Sequence, residues 1–208
     1  MAAPNLPHLS DALVVLDVFG IGVFAVSGAL LAAEKRQTLV TFIFFAVATG
    51  VGGGTLRDLL IGAPVFWMRT NATLLICIGA ALAVWLASSR RIAAKALDWF
   101  DAAGLAAYAV YGSAKALGYG VAPVPAFAMG VLTACFGGIV RDVLAGEPTI
   151  LMRPELYVTA AALAGGLYVG LTLAGFPVWT AALIAAAVGF GLRALAIARS
   201  WKLPAYKR

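Results

Sequence analysis

The chain has 208 residues, of which 63% are hydrophobic and only 12% charged, with a mean hydropathy of +0.98 and a formal net charge of +6. A soluble domain is about 45–50% apolar and about 25% charged, so there is too little polar surface here to cover a globule in water, and an ordinary soluble enzyme or binding module is excluded. Disorder, which needs low hydrophobicity and high charge, is excluded by the same figures. The expected fold class is an all-α polytopic membrane protein.

Residues 1–11 form a polar tail that carries Pro4, Pro7 and the single histidine, His8. No Lys or Arg precedes Lys35, so the basic start of a cleavable signal peptide is missing and the first apolar run is expected to persist as a helix. A helix crosses the hydrocarbon core in about 20 residues. Seven runs qualify, at roughly 12–33, 39–60, 71–88, 97–118, 123–144, 156–174 and 178–198, the third and sixth being short. Cys77 and Cys135 lie inside apolar runs, which fits neither a disulfide framework nor a metal cluster.

Seven spans place the two ends of the chain on opposite sides of the membrane, and loop Lys/Arg content decides which side is cytoplasmic. One side collects Lys35, Arg36, Arg90, Arg91, Lys95, Arg153, Arg199, Lys202, Lys207 and Arg208, the other Arg69 alone, so the N-terminus is expected outside and the C-terminus in the cytoplasm. The positive charge is thus a topology signal, and no nucleic-acid partner is expected. Arg193, in the seventh span, is expected to anchor that helix at the inner interface by snorkelling.

The chain repeats itself at a constant offset of 84 without gaps. Asp17, Gly20, Ala25, Val26, Gly28 and Ala32 return as Asp101, Gly104, Ala109, Val110, Gly112 and Ala116, and Thr49 returns as Thr133. The densest stretch runs Gly53-Gly54-x-x-Arg57-Asp58-x-Leu60-x-Gly62-x-Pro64-x-x-x-Met68-Arg69 and recurs from Gly137-Gly138 through Arg141-Asp142 to Met152-Arg153. Each unit holds three spans, an odd number, so the second unit enters the membrane from the opposite side. The expected organisation is a first repeat at 12–94, an inverted second repeat at 95–176, a seventh helix at 177–199 outside the repeat, and a basic tail at 200–208. Inverted repeats are common in transport proteins, with the ion or substrate path at the repeat interface.

Gly52, Gly53 and Gly54 in the second span, and Gly137 and Gly138 in the fifth, are expected to bend or open their helices, since each glycine costs about 1 kcal/mol relative to Ala. Carbonyls freed in this way are tolerated only when buried in protein or lining a watery cavity. Ala at Gly53 or Gly138 is expected to favour a straighter helix and hide those carbonyls. Thr49 and Thr133, just before the glycines, are candidate hydroxyls along an ion path. The competing expectation for the glycines is close helix packing.

Ionisable residues within spans mark pathways or paired interior sites, and Arg57, Asp58, Arg141 and Asp142 are such residues. Adjacent residues point apart around a helix, so Arg57 and Asp58 are not expected to satisfy each other. Asp17 lies about 7 Å into the first span at about 1.5 Å per residue, a depth that nearly matches Arg57, and the repeat sets Asp101 and Arg141 in the same relation. Asp17–Arg57 and Asp101–Arg141 are therefore the expected ion pairs. Lys115, whose repeat equivalent is Leu31, is a candidate gating charge or a snorkelling residue. No nucleophile–base set or metal-ligand spacing accompanies these groups, so no enzymatic activity and no cofactor are expected.

The doubled Gly-Gly-x-x-Arg-Asp element in a three-plus-three-plus-one chain resembles the trimeric intracellular cation channel family, specifically its bacterial and archaeal branch, over residues 11–198. The resemblance implies a homotrimer among membrane lipids in the cell's inner membrane, with a separate path for monovalent cations, chiefly potassium, in each protomer. It implies kinks at Gly52–Gly54 and Gly137–Gly138, with Arg57, Asp58, Arg141 and Asp142 as the charged residues of the two motifs. The second element begins Cys135-Phe136-Gly137-Gly138, with only two glycines, which implies a weaker kink. The alternative is a secondary transporter for a small zwitterion such as glycine, since a broken helix offers amides to a carboxylate and carbonyls to an ammonium.

Overall fold

The structure is a computed structural model that describes residues 10–87 and 90–204, with side chains described over 14–87 and 96–204. The tail through His8, the side chains of Arg90, Arg91 and Lys95, and the end of the basic tail with Lys207 and Arg208 lie outside the described residues. Seven α-helices follow one another: α1 (Ser10–Glu34), α2 (Leu39–Leu60), α3 (Asn71–Ala87), α4 (Arg90–Gly118), α5 (Pro123–Leu144), α6 (Val158–Leu173) and α7 (Val178–Arg199). A helix is present at each of the seven expected spans. Their limits shift by a few residues except at α4, which starts well before residue 97 because its polar first turns continue the helix.

Local chemistry sets several of these limits. Thr38 caps α2 by accepting the Thr41 amide, and α5 opens on Pro123, whose fixed φ and missing N–H suit a first helical turn. α2 and α5 end in the same way: Gly62 and Gly146 take φ +68° and +67°, and the amides of Ala63 and Glu147 return to the carbonyls of Asp58 and Asp142 at 2.8 and 3.0 Å. Such left-handed glycines close helix ends without a Cβ penalty. The chain then turns through a short 3₁₀ segment, Phe66–Met68 after α2 and Ile150–Met152 after α5.

α1 and α4 pack against each other at the centre. α1 also carries α2 and α3, α4 carries α5, α6 and α7, and α2 lies on α5. The core between them is built from residues such as Phe24, Ala25, Leu105, Tyr108 and Val110, all essentially inaccessible. The periphery is apolar as well, with Val40, Leu86, Leu173 and Leu183 among its exposed side chains, as expected of a surface that meets lipid tails. Four helices, α1, α2, α5 and α7, are long and apolar enough to cross a membrane, and α3 and α6 are shorter apolar helices. The chain is a multi-pass helical membrane protein.

The glycine motifs behave differently from the expectation of opened helices. α2 and α5 continue as α-helix through Gly52–Gly54 and Gly137–Gly138 with no unwound turn. Their glycines are spent on proximity. A Cβ at Gly53 would collide with the Thr133 carbonyl oxygen, and one at Gly137 would stand 2.7 Å from the Thr49 carbonyl oxygen. No turn is opened at these positions, and the glycines permit close packing of α2 on α5, the competing expectation.

Candidate functional site: two buried arginine–aspartate clusters

Residue 53 meets 133 and residue 49 meets 137, so α2 and α5 cross antiparallel at their glycines. Arg57 and Arg141 each lie a few residues beyond the crossing, toward the C-terminal ends of their helices. At about 1.5 Å per residue this carries them to opposite sides of the contact. Two charge clusters result, one at each end of a glycine-lined crossing.

The first cluster forms around Asp58. Arg57 donates Nε to Asp58 Oδ1 at 2.9 Å, Lys115 Nζ reaches the same oxygen at 2.7 Å, and the Phe66 amide donates to Asp58 Oδ2 at 3.0 Å. Arg57 and Asp58 are both fully buried. The guanidinium lies over the Tyr111 ring, 4.8 Å from its centroid, and faces the Phe66 ring at 5.9 Å. The turn after α2 explains why the Phe66 amide arrives here: the left-handed Gly62 and then Pro64 swing the chain back across the helix end.

The second cluster repeats the frame 84 residues on. Arg141 donates Nε to Asp142 Oδ1 at 2.9 Å, and the Ile150 amide donates to Asp142 Oδ2 at 2.9 Å. Arg141 Nη1 also reaches Ser27 Oγ at 2.6 Å and Asp101 Oδ1 at 2.5 Å. A cavity of about 190 Å³ opens beside it, lined by Leu31, Glu34, Asp98, Arg141, Asp142 and Arg153 among others. At its rim, the Lys35 and Glu147 side chains form an exposed ion pair.

The structure brings Asp101 and Arg141 into direct contact. It corrects two other sequence expectations. Arg57 and Asp58 do bond to each other, because near a helix end the long arginine side chain folds back over its neighbour, as Arg141 does over Asp142. Asp17 makes no ion pair with Arg57 within 4 Å; Tyr111 stands beside Asp17 and under the guanidinium, and Arg57 bonds Asp58 alone, whereas Arg141 reaches both Asp142 and Asp101. Lys115 does not snorkel away from the protein but binds Asp58. Thr49 and Thr133 are both buried at the crossing, and the Thr133 hydroxyl donates to the Met129 carbonyl. Gly52 faces Val140 at an ordinary 3.5 Å, so it is looser than its neighbour Gly53. Arg193, expected at the interface, is buried and donates to Glu155 Oε2 at 2.6 Å, with its guanidinium over the Tyr157 ring.

Sequence reasoning missed Tyr111, Ser27, the two amides on the aspartates, and the Arg193–Glu155 pair. Positions 27 and 111 carried a usable signal: they correspond in the repeat, border the motifs in space, and differ. The amides carried none, since they depend on how the chain turns after each helix.

The model of a family described as "Glycine transporter" matches residues 14–89 and again 98–173. Among curated proteins, a UPF0126 membrane protein of Vibrio cholerae is 44% identical over 156 residues, 74% of this chain and 65% of that protein. The UPF0126 inner membrane protein YadS of Escherichia coli is 36% identical over 196 residues, 92% and 94% of the two chains. Among solved structures, the TRIC trimeric intracellular cation channel orthologue from Rhodobacter sphaeroides is 41% identical, with 91% of this chain and 98% of that one covered and a TM-score of 0.86. A prokaryotic TRIC channel crystallised in 0.5 M KCl is 28% identical, with 92% and 98% covered and a TM-score of 0.84. The chain belongs to the family that this doubled model describes, the family of the bacterial trimeric intracellular cation channels.

Proposed function

We propose that the protein is a potassium-permeable channel for monovalent cations, working as a homotrimer in the inner membrane with one path per protomer. The observation that carries this reading is the pair of buried Arg–Asp clusters flanking the α2–α5 crossing. Burying an unpaired charge costs several kcal/mol, and such groups inside a membrane protein usually mark a path. The whole-length likeness to solved cation channels supports the same reading.

In this account the path runs from one cluster to the other and narrows where Gly53 meets Thr133 and Gly137 meets Thr49. With the helices in contact the constriction is shut. A small separation of α2 from α5 exposes the carbonyls and hydroxyls of Thr49 and Thr133 to a passing ion, which replaces part of its hydration shell. Lys115, tethered to Asp58, is the gating charge: a unit charge crossing the full field does work of about 2.3 kcal/mol per 100 mV. The two three-helix units are inverted repeats about an axis in the membrane plane, which agrees with the antiparallel crossing. The first cluster then lies toward the outside, and the second, with its cavity, toward the cytoplasm.

The description "Glycine transporter" favours a second reading, carriage of a small zwitterion. That reading draws on a broken helix for its carboxylate and ammonium sites, and neither α2 nor α5 is broken. Potassium efflux from proteoliposomes, set against saturable uptake of labelled glycine in the same vesicles, separates the two.

A further inference from the structure

The two clusters share their frame and differ beside it at several repeat positions: Phe66 stands where Ile150 does, Thr73 where Tyr157 does beside Asp101 and Arg141, and, next to the arginines on α1 and α4, residue 111 is Tyr where residue 27 is Ser and residue 115 is Lys where residue 31 is Leu. Both arginines bond the aspartate that follows them, and the difference between Tyr111 and Ser27 bears on whether the guanidinium also reaches a second carboxylate. Beside Arg141 the small Ser27 leaves room, and the guanidinium reaches both Ser27 Oγ and Asp101. Beside Arg57 the Tyr111 ring fills that space, and its face offers the cation a favourable seat at 4.8 Å. Arg57 bonds Asp58, as Arg141 bonds Asp142, but reaches no second carboxylate. Asp17, the counterpart of Asp101, has no ion pair among the described residues, and its Oδ1 is buried without a hydrogen-bond partner.

We propose that Tyr111 is a positioning residue that keeps Arg57 from reaching Asp17 as well as Asp58, and so keeps Asp17 as a carboxylate without an ion pair, beside the Tyr111 hydroxyl, for a cation entering the path at the first-cluster end. A carboxylate bonded to a guanidinium presents a dipole, whose pull fades quickly with distance. An unpaired one presents a charge, and its attraction reaches over a Debye length, about 10 Å at 0.1 M salt. Because Arg57 and Lys115 both stand at this end, an Asp17 tied up in a pair would leave the entrance with little to draw a cation in. The proposal rests on the channel reading for what Asp17 does, though not for which partner Arg57 takes.

The test is a mutant cycle over Tyr111 and Asp17 with two readouts: potassium current entering from the external face of oriented membrane patches at low ionic strength, and thermal melting of the detergent-solubilised protein. In the wild-type background, Asp17→Asn should lower the inward current about threefold, with the difference closing near 1 M KCl, where the Debye length is about 3 Å, and should barely move the melting temperature. Tyr111→Ser should lower the current similarly. Adding Asp17→Asn to it should then change the current little but clearly lower the melting temperature, since Arg57 would now be paired with residue 17. Tyr111→Phe removes the hydroxyl beside Asp17 but keeps the ring under the guanidinium, so Asp17→Asn should lower the current in this background as it does in the wild type, with no added loss in melting temperature. Additive effects in both readouts, or an unchanged low-salt current in Asp17→Asn, would overturn the proposal, and the second result stands without any Tyr111 variant. If wild-type protein passes no current, the channel reading fails, while additive melting effects would still refute the positioning of Arg57 and a coupled melting response would still support it.

Discussion

Gly53 of α2 rests directly on the carbonyl oxygen of Thr133 of α5, and its counterpart Gly137 rests on the carbonyl of Thr49. This reciprocal contact ties the centre of the molecule together and leaves no room for a methyl group. Gly53→Ala and Gly137→Ala should therefore force α2 and α5 apart, a core overpacking that costs about 1–3 kcal/mol. Gly52→Ala, one position away and facing Val140 at 3.5 Å, should be tolerated. Melting temperatures of the three variants check this; a Gly53→Ala variant as stable as Gly52→Ala would show that the contact does not matter. At Gly53 the expected clash with the Thr133 carbonyl outweighs the mild stabilisation that helix propensity alone would give Ala.

Asp101 should be the costly aspartate of its pair. It bonds Arg141 inside a buried cluster, and removing one partner of such a pair typically costs about 3–5 kcal/mol. Asp101→Asn should reduce the yield of folded protein sharply, whereas Asp17→Asn should not. Equal yields would mean that the two clusters share the charge load in a way their contacts do not indicate.

Lys115→Leu places in the first cluster the residue that the second cluster has at Leu31. Asp58 keeps Arg57 and the Phe66 amide, so the fold should survive, with a smaller loss of stability than removal of a buried charge's sole partner would bring. The steepness of open probability with voltage should fall. Unchanged voltage dependence in a well-folded Lys115→Leu channel would remove Lys115 from gating.

The Lys35–Glu147 pair lies outside the spans, and the Lys35 ammonium, by hydrogen bond and charge, holds the Glu147 carboxyl below the usual carboxylate range. A carboxyl lowered in the folded state adds stability at neutral pH and loses it as pH falls through the carboxylate range. Exposure keeps that contribution small. The difference in melting temperature between wild type and Lys35→Ala should be slight at pH 7 and vanish near pH 3; a difference that grows on acidification would contradict this assignment.

Much of this architecture was legible in the sequence. Apolar run length gave the seven helices, and the offset of 84 exposed the duplication because Arg, Asp, Pro and Met do not recur in register by chance. Depth along a helix brought Asp101 to Arg141. The same arithmetic failed for Asp17 and Arg57 because depth says nothing of what fills the space between two side chains, here the Tyr111 ring. Rotation around the helix misjudged Arg57 and Asp58 for a related reason: it describes where Cβ points and neglects how far a long side chain can fold back. The role of the glycines was hidden because opening and close approach require the same residue, and only the neighbour across the helix interface distinguishes them.

Recording the purified protein in a planar bilayer under a potassium chloride gradient decides whether it conducts. A channel with a path lined by a few carbonyls and hydroxyls, without a ring of filter loops, should give unitary currents that reverse near the potassium equilibrium potential, with modest discrimination between potassium and sodium. Saturable glycine uptake by the same preparation, with no unitary current at any voltage, would contradict the channel reading.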